Sequence, residues 1–134
     1  ENSNAHNFLG YIYSLQGTNL GEAVDHLEKA LAVQPQNGYF LDSLGWIYFK
    51  KGEPEKAFVE LKKAMAYAPP DPVLYDHLGE VSFALKNYEE AEKAWKTSLF
   101  LVKKKKFELG VELPEKNDLE EKIKKAQKHL EKSL

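Results

Sequence analysis

An all-α solenoid of three helix-turn-helix repeats, closed by a C-terminal capping helix, is what this sequence predicts, and three observations predict it. Leu-Gly recurs at Leu9-Gly10, Leu44-Gly45 and Leu78-Gly79, in steps of 35 and 34 residues. Ala23, Ala57 and Ala91 keep a 34-residue step, as do Leu27, Leu61 and Trp95, Ala30 and Ala64, and Pro35 and Pro69. Within each copy the apolar residues have helical spacing: Leu41, Leu44, Gly45 and Tyr48 fall on one face, and Ala57, Leu61 and Ala64 on a face of the next helix. A fixed period of this length marks a unit that cannot bury its apolar face alone and must stack on its neighbours.

Taken in order, the spacing predicts helices over about 4–16, 21–34, 38–51, 54–67, 72–85 and 88–108. The first repeat carries His6, Leu9-Gly10, Tyr13, Ala23, Leu27, Ala30 and Pro35, with one extra residue in the turn Gly17-Thr18-Asn19-Leu20-Gly21. The second reads Leu41, Leu44-Gly45, Tyr48, Gly52, Ala57, Leu61, Ala64 and Pro69. Gly52 suits the left-handed conformation that ends a helix, and Pro54 suits the first turn of the next. The third reads Tyr75, Leu78-Gly79, Ser82, Ala91 and Trp95, and Asn87 is expected to replace the turn glycine. Gly and Ala at the crossings let paired helices approach closely.

A seventh helix is predicted after Gly110 and Pro114, with Leu119, Ile123, Ala126 and Leu130 on its apolar face and Asn117, followed three residues later by Glu120, as its start signal. Leu109-Gly110 mimics another repeat start, but Pro114 interrupts the helix that would follow. The expected organisation is one domain over 1–134: repeats at about 3–37, 38–71 and 72–105, a connecting segment at 106–116 and a capping helix at 117–134.

The order bulky-x-x-Leu-Gly-x-x-Tyr, then Ala-x-x-x-bulky, then Pro, resembles the tetratricopeptide repeat family. The resemblance implies a right-handed superhelical array whose first helices line a concave groove that receives a segment of a partner protein. The stretch Asp42-Ser43-Leu44-Gly45-Trp46, with Asp71-Pro72, His77-Leu78-Gly79-Glu80-Val81 and Ala94-Trp95, is similar to the C-terminal repeats of bacterial, mainly proteobacterial, members, over about residues 20–100. Some of those are envelope lipoproteins that serve as scaffolds or adaptors, for instance for periplasmic processing proteases, so the resemblance favours a periplasmic or envelope setting over the cytoplasm, while the absence of Cys is compatible with both.

Residue by residue, the groove positions implied by the family are Asn7, Tyr11 and Ser14, then Tyr39, Asp42, Trp46, Phe49 and Lys50, then Val73, Asp76, Glu80 and Phe83. Members that clamp the C-terminal carboxylate of heat-shock chaperones use Lys, Arg and Asn on this face. Here Tyr11, Trp46, Asp76 and Glu80 stand in their place, which argues against a chaperone-tail receptor. Against Asp42, Asp76 and Glu80 the face offers one cation, Lys50, so the expected partner segment is apolar or aromatic with Lys, Arg or a free amine nearby. Trp46, Phe49 and Phe83 serve equally well as packing between repeats.

Composition narrows the function classes. The 134 residues carry a formal net charge of −2, and all 19 basic side chains are Lys. Without Arg the chain lacks the planar fork that grips phosphate, and without a basic surplus it lacks the footprint of a nucleic-acid binder. There is no Cys, hence no thiolate nucleophile or Cys-based zinc site. His6, His26, His77 and His129 sit in separate segments with no close ligand pair, so no metal or cofactor is expected. His77, Asp76 and Glu80 are the residues on which an enzyme reading would rest, but a nucleophile, base and oxyanion site do not converge there. Lys103 to Lys106 reads as a solvated helix end favoured by the macrodipole. Leu99-Phe100-Leu101-Val102 is far below the roughly 18 apolar residues a membrane span needs. The start at Glu1-Asn2-Ser3, and Phe8, Tyr11 and Ile12 with no upstream helix to pack on, lead to the expectation of further repeats upstream or of a second copy covering that end.

Overall fold

The computed structural model describes residues 19–104 and 114–132, and every regular element among them is helical. The helices are α1 (Leu20–Val33), α2 (Gly38–Lys50), α3 (Pro54–Tyr67), α4 (Pro72–Ala84), α5 (Tyr88–Lys104) and α6 (Lys116–Lys132). The helix expected over 4–16 lies outside the described residues. Two compact units divide the chain, Glu1–Pro69 and Pro70–Leu134. None of the described helices is long and apolar enough to cross a membrane.

In the first unit, Ala23, Val24, Leu27 and Ala30 of α1 pack with Phe40, Leu44 and Ile47 of α2. The α1 chain stops where the Gln34 N–H bonds to the Ala30 carbonyl, and Asn37 starts α2 by accepting from the Tyr39 and Phe40 N–H groups at 3.0 and 3.1 Å. Such a cap satisfies amides that have no partner inside the helix. The α2–α3 crossing depends on Gly45: a Cβ there would lie 2.9 Å from Leu61 Cγ and 3.2 Å from the Ala57 carbonyl oxygen. Gly52 takes φ +81° and Pro54 opens α3, as the sequence predicts.

The second unit repeats this plan with different parts. Asp71 caps α4 by accepting from the Val73 N–H at 2.7 Å, and Pro72 opens the helix. Gly79 faces the indole of Trp95, where a Cβ would sit 2.5 Å from Trp95 Cδ1. Ser98 Oγ donates to the Pro72 carbonyl at 2.7 Å and ties α5 to the start of α4. Ala91 and Trp95 of α5 join Leu119, Ile123 and Ala126 of α6 in one core, with Phe83, Leu99 and Val102 at its edge. Leu130 is half-buried.

Two start and stop signals differ from expectation. The left-handed residue in the α4–α5 turn is Lys86, φ 63°, rather than Asn87. Asn87 instead caps α5: its Oδ1 accepts from the Glu90 N–H at 3.4 Å while its Nδ2 donates to Glu90 Oε2 at 3.1 Å. Lys86 lies 34 residues after Gly52, so the period holds the backbone shape although the residue is not one that favours it. The α6 helix begins at Lys116, with the Leu119 N–H on the Glu115 carbonyl at 3.0 Å, so Asn117 lies inside the first turn.

Candidate partner-binding surface

The residues singled out as groove positions fall on α2 and α4, one helix in each unit; Asn7, Tyr11 and Ser14 lie outside the described residues. On α2, Tyr39, Asp42, Trp46, Phe49 and Lys50 recur at three- and four-residue steps, away from the stripe Phe40, Leu44, Ile47 that meets α1. Tyr39 is 53% exposed. Trp46 and Phe49 are half-buried, their rings 5.1 Å apart and tilted by 31°. Lys50 Nζ stands over the Trp46 ring, 4.8 Å from its centre, in a cation–π contact. One aromatic pair with a cation on it therefore occupies the end of α2.

On α4 the arrangement departs from the expectation that Lys50 is the cation available to the acids. Lys122 of α6 places its ammonium 2.9 Å from Asp76 Oδ1, 3.4 Å from Glu80 Oε2 and 3.3 Å from Asp118 Oδ2. Asp76 Oδ1 also accepts from the Trp95 indole N–H at 3.0 Å. Burial pulls the Lys122 pKa down, but the hydrogen bond and charge of Asp76, with Glu80 and Asp118, outweigh it and hold the ammonium above its ordinary value. Sequence reading missed this residue because it sits on the seventh predicted helix, outside the family's groove positions. The available signal was its register: Lys122 directly flanks Ile123 on the edge of the buried stripe.

Phe83 is embedded in an aromatic cluster, 5.8 Å from Trp95, 5.1 Å from Tyr88 and 5.3 Å from His129. His129 in turn stacks on Tyr88 at 4.2 Å with the rings 8° from parallel. A cleft of about 300 Å³ opens beside this cluster, lined by Glu80, Phe83, Trp95, Asp118, Glu121, Lys122 and Lys125. On the far side of α6 from that cleft, a hydrogen bond with Gln127 holds Glu92 below the usual carboxylate range against its burial, with Lys96 assisting. Val73 is half-buried beside the α4 cap. Of the enzyme candidates His77, Asp76 and Glu80, the two acids share the Lys122 ammonium. Among the described residues no group of three His, Asp or Glu is placed to hold a metal ion.

Comparison with known proteins fits this helical plan. The tetratricopeptide repeat profile matches residues 3–37 and 40–71, half of the sequence, and the chain belongs to the tetratricopeptide repeat family. It is 36% identical over 80 residues to the TPR repeat-containing protein PA4667 of Pseudomonas aeruginosa, covering 60% of this chain and 13% of that protein. It is 38% identical over 85 residues to the TPR repeat-containing protein MJ1428 of Methanocaldococcus jannaschii, covering 56% and 15%. The chain thus spans about one seventh of the length of these relatives, and the likeness extends from a bacterium to an archaeon. Its fold is similar to that of the first TPR domain of human RPAP3, with TM-score 0.79, 22% identity and coverage of 97% of this chain and 93% of that one. The first TPR of Spaghetti (RPAP3), bound to the HSP90 peptide SRMEEVD, matches with TM-score 0.78, 22% identity and coverage of 96% and 94%.

Proposed function

We propose that this chain is a protein-interaction scaffold or adaptor, not a catalyst, and that each unit offers a partner protein a surface of its own, the exposed face of α2 in the first and of α4 in the second. The observation that carries the reading is the α2 face, where Tyr39, Trp46 and Phe49 stand partly in solvent with Lys50 packed on the indole. Large aromatics held in place before binding lose little freedom on docking and give most of the energy of such contacts, about 2 kcal/mol or more each. A similar fold carrying the HSP90 peptide supports the mode of binding. The chemistry supports a different peptide. SRMEEVD is acidic, and the α2 and α4 faces here bring Asp42, Asp76 and Glu80, so a partner with apolar or aromatic side chains and a nearby amine or guanidinium fits better. The resemblance to bacterial envelope members makes an adaptor in that setting the finer form of the proposal.

Site-specific photo-crosslinking tests it. A benzoylphenylalanine placed at Tyr39 or Phe49 should capture a partner from cells of the source, whereas the same probe at Lys62 or Lys96 should not. Capture from Lys62 or Lys96 alone would move recognition to the opposite helices and end this reading.

A further inference from the structure

Asp76 and Glu80, the acids on α4 to which a cationic partner group is assigned above, already hold an ammonium of the chain itself. Lys122 reaches them at 2.9 and 3.4 Å with its side chain 21% exposed, and lies 5.9 Å from the centre of the Trp95 ring. Trp95 donates its indole N–H to the same Asp76 oxygen, Oδ1, at 3.0 Å. The pair of acids is therefore shaped around one cation, with an aromatic face beside it.

We propose that Lys122 is a built-in competitor at this acid pair, and that a primary amine or guanidinium of the partner binds there by displacing it; this inference rests on the reading that α4 contributes to recognition. Three features make the exchange feasible. First, the displaced ammonium has somewhere to go: Asp118, one turn earlier on the same helix, is already 3.3 Å away with its side chain 56% exposed, so Lys122 can turn outward and keep one ion pair without unwinding α6. Second, a cleft of about 300 Å³ opens at this spot between Glu80, Trp95 and Lys122 and gives an incoming side chain a route to the acids. Third, α6 is anchored by Leu119, Ile123 and Ala126 independently of Lys122, so losing the contact leaves the helix docked. An ammonium tethered beside its acids acts at a high effective concentration, and an external amine binds more weakly by the corresponding factor. The two events are linked reciprocally: whatever loosens Lys122 raises affinity for the external cation, and a bound cation loosens Lys122.

The test uses the full 134-residue chain and a defined probe, the peptide acetyl-Phe-Lys-Lys-Phe-amide, in a calorimetric or anisotropy titration. Lys122→Met keeps the stem against Trp95 and removes the charge. It should bind the probe about tenfold more tightly than the wild type, the scale of one competing ion contact. Adding Asp76→Asn and Glu80→Gln to Lys122→Met should abolish the gain. Circular dichroism establishes that each variant is folded; should the triple variant unfold, Glu80→Gln with Lys122→Met alone must reduce the gain. A folded Lys122→Met chain that binds no more tightly than the wild type, or a gain that survives neutralising the acids, overturns the proposal. Either failure leaves the crosslinks from Tyr39 and Phe49 untouched, whereas crosslinks confined to the opposite helices sink the recognition surface itself.

Discussion

Lys86 holds φ at 63°, a conformation that costs an L-residue about 1–2 kcal/mol and costs glycine nothing in sterics. Lys86→Gly should therefore raise stability by about 0.5–1 kcal/mol after allowance for the greater freedom of glycine in the unfolded chain. Urea unfolding with an unchanged slope measures it, and a fall in the midpoint would show that the lysine stem contributes more than the backbone loses. Two of the α-helical glycines, Gly21 and Gly79, give opposite signs for one substitution. Nothing lies within 4 Å of a Cβ on Gly21, so Gly21→Ala should stabilise by about 0.5 kcal/mol through helix propensity. A Cβ on Gly79 strikes the rigid, buried indole of Trp95, so Gly79→Ala should cost about 2 kcal/mol or more. The close approach at Gly79 is legible in the Leu-Gly repeat, because a residue without Cβ recurs where the neighbouring helix packs close, here through the Trp95 indole. Side-chain tolerance of positive φ points to Asn87 in the α4–α5 turn, whereas the 34-residue period from Gly52 points to position 86, where the left-handed residue stands.

At the scale of elements, the stripe Leu119, Ile123, Ala126 told where α6 is apolar, and the helix docks on α5 through those residues. What the stripe could not tell is which polar neighbour reaches back to α4, since that depends on the crossing of α6 over Trp95 and not on periodicity. Burial of Leu119 and Ile123 contributes about 3–6 kcal/mol at the usual 1.5–3 per side chain. Ending the chain after Pro114 should lower the melting temperature and expose Trp95, shifting its fluorescence to the red; an unchanged melt would show α6 to be dispensable. The ion cluster makes a separate prediction with a definite sign. The folded pKa of Lys122 lies above its ordinary 10.5, so its contribution is complete below that value and is lost as pH rises through the folded pKa. Subtracting the Lys122→Met stability from that of the wild type should give a positive difference that is flat at neutral pH and falls on the strongly alkaline side as the ammonium is lost. A difference that falls in the acid range alone would assign the effect to the carboxylates.

For the whole chain, the 34-residue period identifies the family and the helix order, while the charge of the proposed binding faces stays partly hidden because charge balance on a surface depends on residues far apart in sequence. A formal net charge of −2 gives little long-range steering, and Lys122 cancels part of the field that Asp76 and Glu80 would project. Association of the partner identified by crosslinking should therefore respond weakly to salt, changing less than about threefold between roughly 0.05 and 0.5 M, since exposed charges are screened within about 3–15 Å over that range. Lys122→Met uncovers both acids, and the same titration on that variant should become steeper, with faster association with an amine-bearing partner at low salt. Trp46→Ala should act on the other rate, speeding dissociation by tenfold or more if about 1.4 kcal/mol or more of aromatic contact is lost, and leaving the salt slope as it was. Stopped-flow traces at several salt concentrations separate the two effects, with thermal melts run beside them because Trp46 also packs against Phe49. Equal salt slopes for the wild type and Lys122→Met would mean that the acids of α4 do not meet the partner, and that recognition is confined to the aromatic end of α2.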